Sequence, residues 1–251
     1  LTSMERSYGW GISKRLTNPD VQLDSNGEAT LDYEVVVTER SATDASWTMN
    51  GAVTVTNPNA YKSVAATVED TADIGGGVVC TFAGGDSITL GANETRVLPY
   101  TCSFASEPAY TGVNTARVTW TSDLAGADQS LVEQRTVTGT ADILEADWNL
   151  TEFLKTVNVS DVVNIGGQQG DTREFGPYTW SAEGTEHAEQ YSVDIRVAAG
   201  QCLAVDNAAA IIETGGRAAT QHLLCNEAPL GIADVATASL LRVYGCLSTN
   251  S

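Results

Sequence analysis

Apolar and polar residues alternate along the stretch from Glu28 to Thr38. The odd positions from Ala29 to Val37 are Ala, Leu, Tyr, Val and Val, while the even positions are mostly Glu, Asp or Thr. A period of two places one set of side chains in a core and the other set in water. The stretch therefore predicts a long, half-buried β-strand.

The alternation returns after a short polar link. Trp47, Met49, Val53 and Val55 share one face, and Thr and Asn occupy the opposite face. The run ends at residues 57–59, an Asn-Pro-Asn sequence, where proline removes a ladder donor and asparagine favours a turn. Two long strands of this kind indicate an antiparallel β-sandwich.

Shorter runs with the same alternation recur along the chain, separated by Gly, Asn, Asp or Pro, as is typical of antiparallel sheets. The predicted strands cover residues 4–15, 62–70, 87–90, 96–104, 114–122, 129–140, 155–163, 173–182, 188–198 and 204–213. Residues 144–154 lack clean alternation and are predicted to join two domains. We therefore expect an all-β chain with two tandem antiparallel Ig-like β-sandwich domains, at residues 1–142 and 143–215, the second being the smaller.

Residues 216–251 form a divergent C-terminal tail in this prediction. The segment from Gly231 to Tyr244 has apolar residues three and four positions apart, which favours a helix over a strand. Chain ends are usually loose unless they dock on a folded unit. We expect this tail to be helical or disordered.

The strongly acidic composition restricts the partners of the protein. The 251 residues carry a formal net charge of -19, so a phosphate backbone or an anionic membrane surface would be repelled. No run of 18 apolar residues occurs, and membrane insertion is therefore not expected. We expect neither a nucleic-acid partner nor a membrane-spanning segment.

The five cysteines favour at least one disulfide. Cys80 and Cys102 bound a hairpin-like region, and each lies on a β-rich run, so a disulfide joining the two runs is favoured. Two free buried thiols are the alternative, since disulfides are rare in cytosolic proteins. Cys202, Cys225 and Cys246 are an odd number, so at least one of them is unpaired or joined to another molecule.

No cofactor is predicted, and calcium is the alternative that the acidic loops offer. Hard cations bind clustered carboxylates and loop carbonyls, and the best clusters are Asp20, Asp24 and Asn26, and Asp70 with Asp73. Neither cluster matches a complete EF-hand loop, so solvated acidic turns are favoured over a calcium site.

Catalysis is not expected from this sequence. His187 lies in an acidic turn and is predicted to be solvated, and no Gly-x-Ser-x-Gly elbow is present. Trp148, Tyr178 and Trp180 fall outside the cleanest core patterns, so they are the candidates for a glycan-binding platform. The alternative is that they pack in the core, as tryptophan usually does in a sandwich.

Several segments together resemble a known kind of domain. They are the WGISKR start at 10–15, the ATLDYEVVVTE strand at 29–39, GAVTVTNPN at 51–59, DNAAAIIETG at 206–215, and the cysteine pair at 80 and 102. These segments resemble the Ig-like and prealbumin-like β-sandwich repeats of large secreted bacterial cell-surface proteins. In such repeats an earlier cysteine commonly partners the one at the position of Cys202. None lies between 102 and 202 here, so Cys225 or Cys246 is expected to be its partner.

The resemblance implies an extracellular, cell-surface protein with a filamentous or adhesive structural role and no catalysis. Its expected partners are other surface-protein domains or copies of itself. The alternatives are a carbohydrate-binding adhesin module and a self-assembling fibre subunit that adds a strand to a neighbour. Sandwiches of the resembled kind sometimes join a strand lysine to an asparagine, with Lys14, Asn114 and Glu34 as candidates here; an exposed Lys14 is the expected alternative.

Overall fold

The computed structural model describes residues 1–122 and 133–227, whose regular secondary structure is almost entirely β-strand, confirming the predicted all-β class. The strands are β1 (Thr2–Leu16), β2 (Glu28–Thr56), β3 (Val64–Ala72), β4 (Val79–Phe82), β5 (Ser87–Leu90), β6 (Thr95–Ser103), β7 (Gly112–Ser122), β8 (Glu133–Ile143), β9 (Trp148–Phe153), β10 (Thr156–Ile165), β11 (Gln168–Thr179), β12 (Glu186–Arg196), β13 (Gln201–Ile211) and β14 (Arg217–Asn226). A short 3-10 turn at Glu145–Asp147 precedes β9. In this described part of the chain, no helix is long and apolar enough to cross a membrane.

Strand β2 is the longest element, and its first half confirms the predicted alternation. Leu31, Tyr33, Val35 and Val37 are each at most 1% exposed, because they point into a core. The polar link expected after this run does not end the strand. The ladder with β1 continues through it, with register irregularities and a positive φ of 58° at Ser46.

Neighbouring strands occupy both edges of β2. Along one edge runs β1, antiparallel; along the other edge lie β12, opposite Glu28–Thr38, and then β6. Thr48, for example, pairs with Ser3 on one side and with Ser103 on the other. Strand β4 adds beyond β6, and β9 adds parallel to the outer edge of β1.

The first of two sandwiches combines strands from both ends of the chain, and we call it the composite sandwich. Its layers are β1, the first half of β2 and β12 on one side, and the sheet β11-β10-β13-β14 on the other. Its core is formed by buried apolar residues from both layers: Leu31, Tyr33, Val35, Val37, Val157, Val159, Val163, Tyr178, Val193, Ile195, Val197, Val205, Ala209, Ile211 and Leu224.

The second sandwich is formed by the residues between the two chain segments that build the composite sandwich, and we call it the inserted sandwich. The second half of β2 with β6 and β4 packs on the sheet β5-β3-β7-β8. Its core residues are Val55, Ala66, Val68, Ile88, Leu90, Leu98 and Val118, followed by Met49, Ile74, Cys102 and Ile143.

The strand pairings cross the predicted boundary between 1–142 and 143–215. Strands β9 and β12, from the second range, pair with β1 and β2 from the first. The expected tail is also corrected, because Arg217–Asn226 forms strand β14 against β13. The helix predicted at 231–244 lies outside the described residues.

Two disulfides each join directly opposed positions of neighbouring antiparallel strands. The predicted Cys80–Cys102 bond connects β4 with β6, and its Cα atoms are 3.9 Å apart. Cys202 pairs with Cys225, one of the two expected partners, and joins β13 to β14 at a Cα distance of 4.0 Å. Cys246 lies outside the described residues.

Candidate functional site

A group of polar side chains is enclosed between the two layers of the composite sandwich. It consists of Lys14 on β1, Asp161 on β10, Tyr191 on β12 and Asn207 on β13, and we call it the Lys14 cluster. The side chains of Lys14 and Asp161 are 0% exposed, and Asn207 is equally buried. Burial of this kind is rare for lysine and aspartate unless they are paired.

Strand alternation explains why these polar side chains point inward. Asp161 lies two residues from the buried Val159 and Val163, and Asn207 lies two residues from the buried Val205 and Ala209. Because successive side chains alternate between faces, each polar residue occupies a position where the pattern requires an apolar one. This break in the pattern marks each residue in the sequence, but it does not show which of them meet in the core.

The four side chains form one hydrogen-bond network. Lys14 Nζ donates to Asp161 Oδ2, and also to the Tyr191 hydroxyl at 2.7 Å. That hydroxyl donates to Asp161 Oδ1 at 2.9 Å and accepts from Asn207 Nδ2 at 2.7 Å. Asn207 Oδ1 finds no hydrogen-bond partner among the described residues, which is uncommon for a buried polar atom.

Aromatic rings enclose the amine of this cluster. Lys14 Nζ lies 5.3 Å from the centre of the Tyr33 ring and 5.1 Å from the centre of the Tyr191 ring. Arg173 covers Tyr191, with its Cζ 4.4 Å from the ring centre. Burial lowers the pKa of Lys14 against the opposing effect of Asp161, and burial also raises the pKa of Tyr191. The environment therefore favours an uncharged amine more than water does, and it keeps the phenol protonated.

The inserted sandwich contains a related group without a lysine, which we call the Asp70 cluster. Asn114 Nδ2 donates to Asp70 Oδ1 at 3.0 Å and to the Tyr100 hydroxyl at 2.9 Å. Burial raises the pKa of Asp70. The other Asp70 oxygen lies 3.8 Å from Cys102 Sγ, which belongs to a disulfide.

A buried carboxylate at the junction of β2 and β12 corrects the expectation for His187. Glu39 is 0% exposed and accepts hydrogen bonds from the backbone N–H groups of Ser181 and Ala182, each at 2.7 Å. His187 Nε2 lies 3.0 Å from Glu39 Oε1, and the imidazole stacks on Tyr178. The histidine is therefore largely packed instead of solvated.

The first predicted calcium cluster is a self-contained turn. Asp24 Oδ1 accepts the backbone N–H groups of Asn26 and Glu28, both at 2.8 Å. Asp24 Oδ2 accepts the Asn26 side-chain amide at 3.2 Å, while Asp20 is exposed. The carboxylate of Asp24 thus stabilises the entry into β2.

The second predicted calcium cluster is divided between two environments. Asp70 is buried, whereas Asp73 Oδ1 accepts the backbone N–H of Val113 at 2.5 Å. The sulfur atoms of Cys80 and Cys102 lie near the Asp70 carboxylate, but they are bonded to each other. Neither sulfur is a thiolate, so this group offers one carboxylate and no thiolate ligand.

The three aromatic residues predicted to bind glycans are not brought together. Trp148 packs against Phe104 in the inserted sandwich. Tyr178 is 8% exposed and lies in the core of the composite sandwich, while Trp180 packs against Tyr8. Burial of Tyr178 removes its ring from any surface platform.

The residues considered for an isopeptide bond are also corrected. Lys14 is buried, not exposed, and its carboxylate partner is Asp161. Glu34 instead pairs with the exposed Arg15, and Asn114 belongs to the Asp70 cluster. Their places on strands do not bring Asn114 and Glu34 to the lysine.

Comparisons with known proteins do not assign a family. No protein-family model matches the chain, and no curated protein matches it. Among solved structures, the chain is similar to a FixG-related protein from Vibrio parahaemolyticus, with 14% sequence identity and a TM-score of 0.21. That similarity covers 54% of this chain and 96% of the other, and at this TM-score it carries no argument.

Proposed function

We propose that the protein is a non-catalytic structural module of a secreted bacterial surface or filament protein, where it acts as a spacer or adhesion scaffold. The observation that carries this proposal is the continuity of β2 through both sandwiches. At about 3.3 Å per residue, its 29 residues have a contour length of about 95 Å. One covalent strand therefore belongs to both cores.

This continuity gives the two sandwiches a shared backbone ladder. β12 covers the first part of one edge of β2, β6 covers the last part, and β1 bridges the region between them along the other edge. A load applied to either sandwich reaches the other through hydrogen-bonded strands and not through a flexible linker. A spacer benefits from such a connection because it fixes the distance between its ends.

Two further properties support an extracellular setting. Disulfides form and persist in oxidising environments, and both sandwiches contain one. The net charge of -19 favours solubility. Both properties suit a domain displayed outside the cell.

Antibody labelling of the bacterium that makes the protein tests its location. Intact cells are expected to be labelled, and external protease is expected to remove the signal, while a cytoplasmic control protein stays unlabelled until the cells are opened. Labelling that appears only after opening would contradict the proposal. Replacing the chain with an unrelated rigid β-sandwich pair of similar length should preserve display of the parent protein; loss of that display would show a role beyond spacing.

Strand addition between copies is a second candidate, favoured by strand β8. It is the end strand of its sheet within the described residues, and ten of its eleven positions are exposed. An outer edge of this kind can accept a strand from another copy. Light scattering of the chain and of a Val137→Pro variant tests it: copies joined through β8 should separate in the variant, and a monomeric parent chain would rule the candidate out.

A further inference from the structure

We propose that the Lys14 cluster forms a covalent cross-link, an isopeptide bond from Lys14 Nζ to Asn207 Cγ made with release of ammonia, for which Asp161 and Tyr191 carry the protons. The bond would join β1 to β13 and so connect the two layers of the composite sandwich. The inference concerns the chemistry of the chain and does not depend on where the protein works.

The fold holds the two reacting groups close together in a buried site. Lys14 Nζ and Asn207 Nδ2 each lie 2.7 Å from the same atom, the Tyr191 hydroxyl oxygen. The two nitrogens are therefore separated by no more than two hydrogen-bond lengths. Holding reactants at this range in a fixed site replaces a bimolecular encounter by a unimolecular step, which accelerates even slow acyl transfers.

The amine can become a nucleophile where it stands. An ammonium group has no free electron pair, so Lys14 must first lose a proton. Asp161 receives a hydrogen bond directly from Nζ and is placed to accept that proton. Burial lowers the pKa of Lys14, which favours the neutral amine needed for the attack.

The carboxamide of Asn207 is the acyl group to be attacked. Its Oδ1 has no partner among the described residues, and the carboxamide is held through Nδ2, which donates to the Tyr191 hydroxyl at 2.7 Å. Attack by Nζ forms the new C–N bond and moves the carbonyl electrons onto Oδ1. Tyr191, hydrogen-bonded to Asp161, lies next to Nδ2 and is placed to pass a proton to the leaving nitrogen.

The step balances without an oxidant or a further reactant. The Lys14 ammonium gives up two protons, the first to Asp161 before the attack and the second to Asp161 or Tyr191 after it. Asn207 Nδ2 takes up one of them, the Cγ–Nδ2 bond breaks, and the carbonyl is restored; the ammonia leaves with the second proton as ammonium. Asp161 and Tyr191 act only as proton carriers and are regenerated.

Asp161 contacts the amine directly, and once it holds the Lys14 proton it is a carboxylic acid and a competing acyl group. Attack on Asn207 lets Asp161 return to its carboxylate form, whereas attack on Asp161 would consume the base. A Lys14–Asp161 amide would release water instead of ammonia. The two products therefore differ in mass and in the peptide that carries the branch.

Mass spectrometry of the full chain, reduced and denatured, tests the proposal. The expected mass is that of the sequence less one ammonia, and digestion should yield a branched peptide that joins Lys14 to Asn207. An unmodified mass would overturn the proposal. So would loss of water with a Lys14–Asp161 branch, or loss of ammonia without a branched peptide, which would indicate a cyclised asparagine.

Single variants identify the participants. Lys14→Met, Asn207→Ala and Asp161→Ala are each expected to abolish the branched peptide and to show no loss of ammonia. Asn114→Ala is the matched control, because it removes the carboxamide from the Asp70 cluster, which has no lysine. The branched peptide should persist in that control; its loss there, or its presence in Lys14→Met, would contradict the assignment.

Discussion

Glu39 Oε1 lies 3.0 Å from His187 Nε2, although the two residues are 148 positions apart in the sequence. This contact joins β2 to the beginning of β12, where the backbone N–H groups of Ser181 and Ala182 also point at the carboxylate. Burial by itself would raise the pKa of Glu39. The backbone donors together with His187 outweigh it, and the pKa of Glu39 is lowered.

Acid should therefore weaken the composite sandwich through Glu39. A carboxylate whose pKa is lower in the folded state stabilises the fold above its unfolded pKa, and this contribution disappears as the pH falls through the folded value. We expect the free energy of unfolding to fall below about pH 4.5, near the ordinary glutamate range. Glu39→Gln should reduce this pH dependence and cost about 1–3 kcal/mol at neutral pH, because a carboxylate acceptor is lost. Denaturant titrations at several pH values measure both effects, and an unchanged acid dependence would contradict the prediction.

The Asp70 carboxyl should have the opposite pH dependence. Burial raises its pKa, so the folded state holds the proton longer than the unfolded state does. Its contribution is complete below the unfolded pKa and is lost as the pH rises through the folded value. Asp70→Asn keeps the size of the side chain and removes the charge, so it should stabilise the protein at neutral pH. Thermal unfolding of this variant beside the parent checks the sign, and a lower midpoint at pH 7 would refute it.

The two disulfides should differ in how quickly they are reduced. Cys202 and Cys225 are both exposed, whereas Cys102 is 0% exposed and packs in the core of the inserted sandwich. Thiol–disulfide exchange requires access of the attacking thiolate to a sulfur. Brief treatment with a mild reductant, followed by alkylation and peptide mapping, should label Cys202 and Cys225 before Cys80 and Cys102. Equal labelling of both pairs would be inconsistent with this order.

Removing either disulfide should lower the free energy of unfolding by a similar amount. The bonds close loops of 22 and 23 residues, and in the chain-entropy model each contributes roughly 3 kcal/mol. We expect the double variants Cys80→Ala/Cys102→Ala and Cys202→Ala/Cys225→Ala to lose stability by similar amounts in denaturant titrations. A negligible loss for either pair would show that the unfolded chain is not restricted by that bond.

Gly51 should resist substitution because the Tyr100 ring covers it. A Cβ atom at this position would clash with the Tyr100 hydroxyl oxygen, which also accepts a hydrogen bond from Asn114. Gly51→Ala is expected to displace the ring and destabilise the inserted sandwich by about 1–3 kcal/mol. Gly139→Ala is the control, since nothing lies within 4 Å of its added Cβ. Equal stability of the two variants would contradict the proposed contact.

Local patterns predicted most of the strands but missed β9 and β14. The alternation from Ala29 to Val37 identified the buried face of β2, and the predicted strand at 87–90 coincides with β5. Each depends only on neighbouring residues, because a period of two shows which side chains share a face. Alternation does not show which strands pair with each other. The pairing of β12 with β2 could therefore not be predicted from it.

The Lys14 cluster could not be predicted from alternation either, because alternation does not show which distant strands face each other. Lys14 and Asp161 are 147 positions apart, and each appears in its own segment as one polar residue among apolar ones. A polar residue at a position that the alternation places in the core can be accommodated in two ways. The strand can turn that position towards solvent, or a polar partner can lie across the core. The arrangement of strands in three dimensions decides between them.

The chain enters and leaves the inserted sandwich at two nearby points, one on each side of β1. Thr2 pairs with Met49 on one side and with Trp148 on the other, so those two residues are two strand spacings apart, about 10 Å. A domain whose termini are similarly close can therefore replace residues 50–147. The composite sandwich then acts as a host domain, in which recombination or design can exchange the inserted domain.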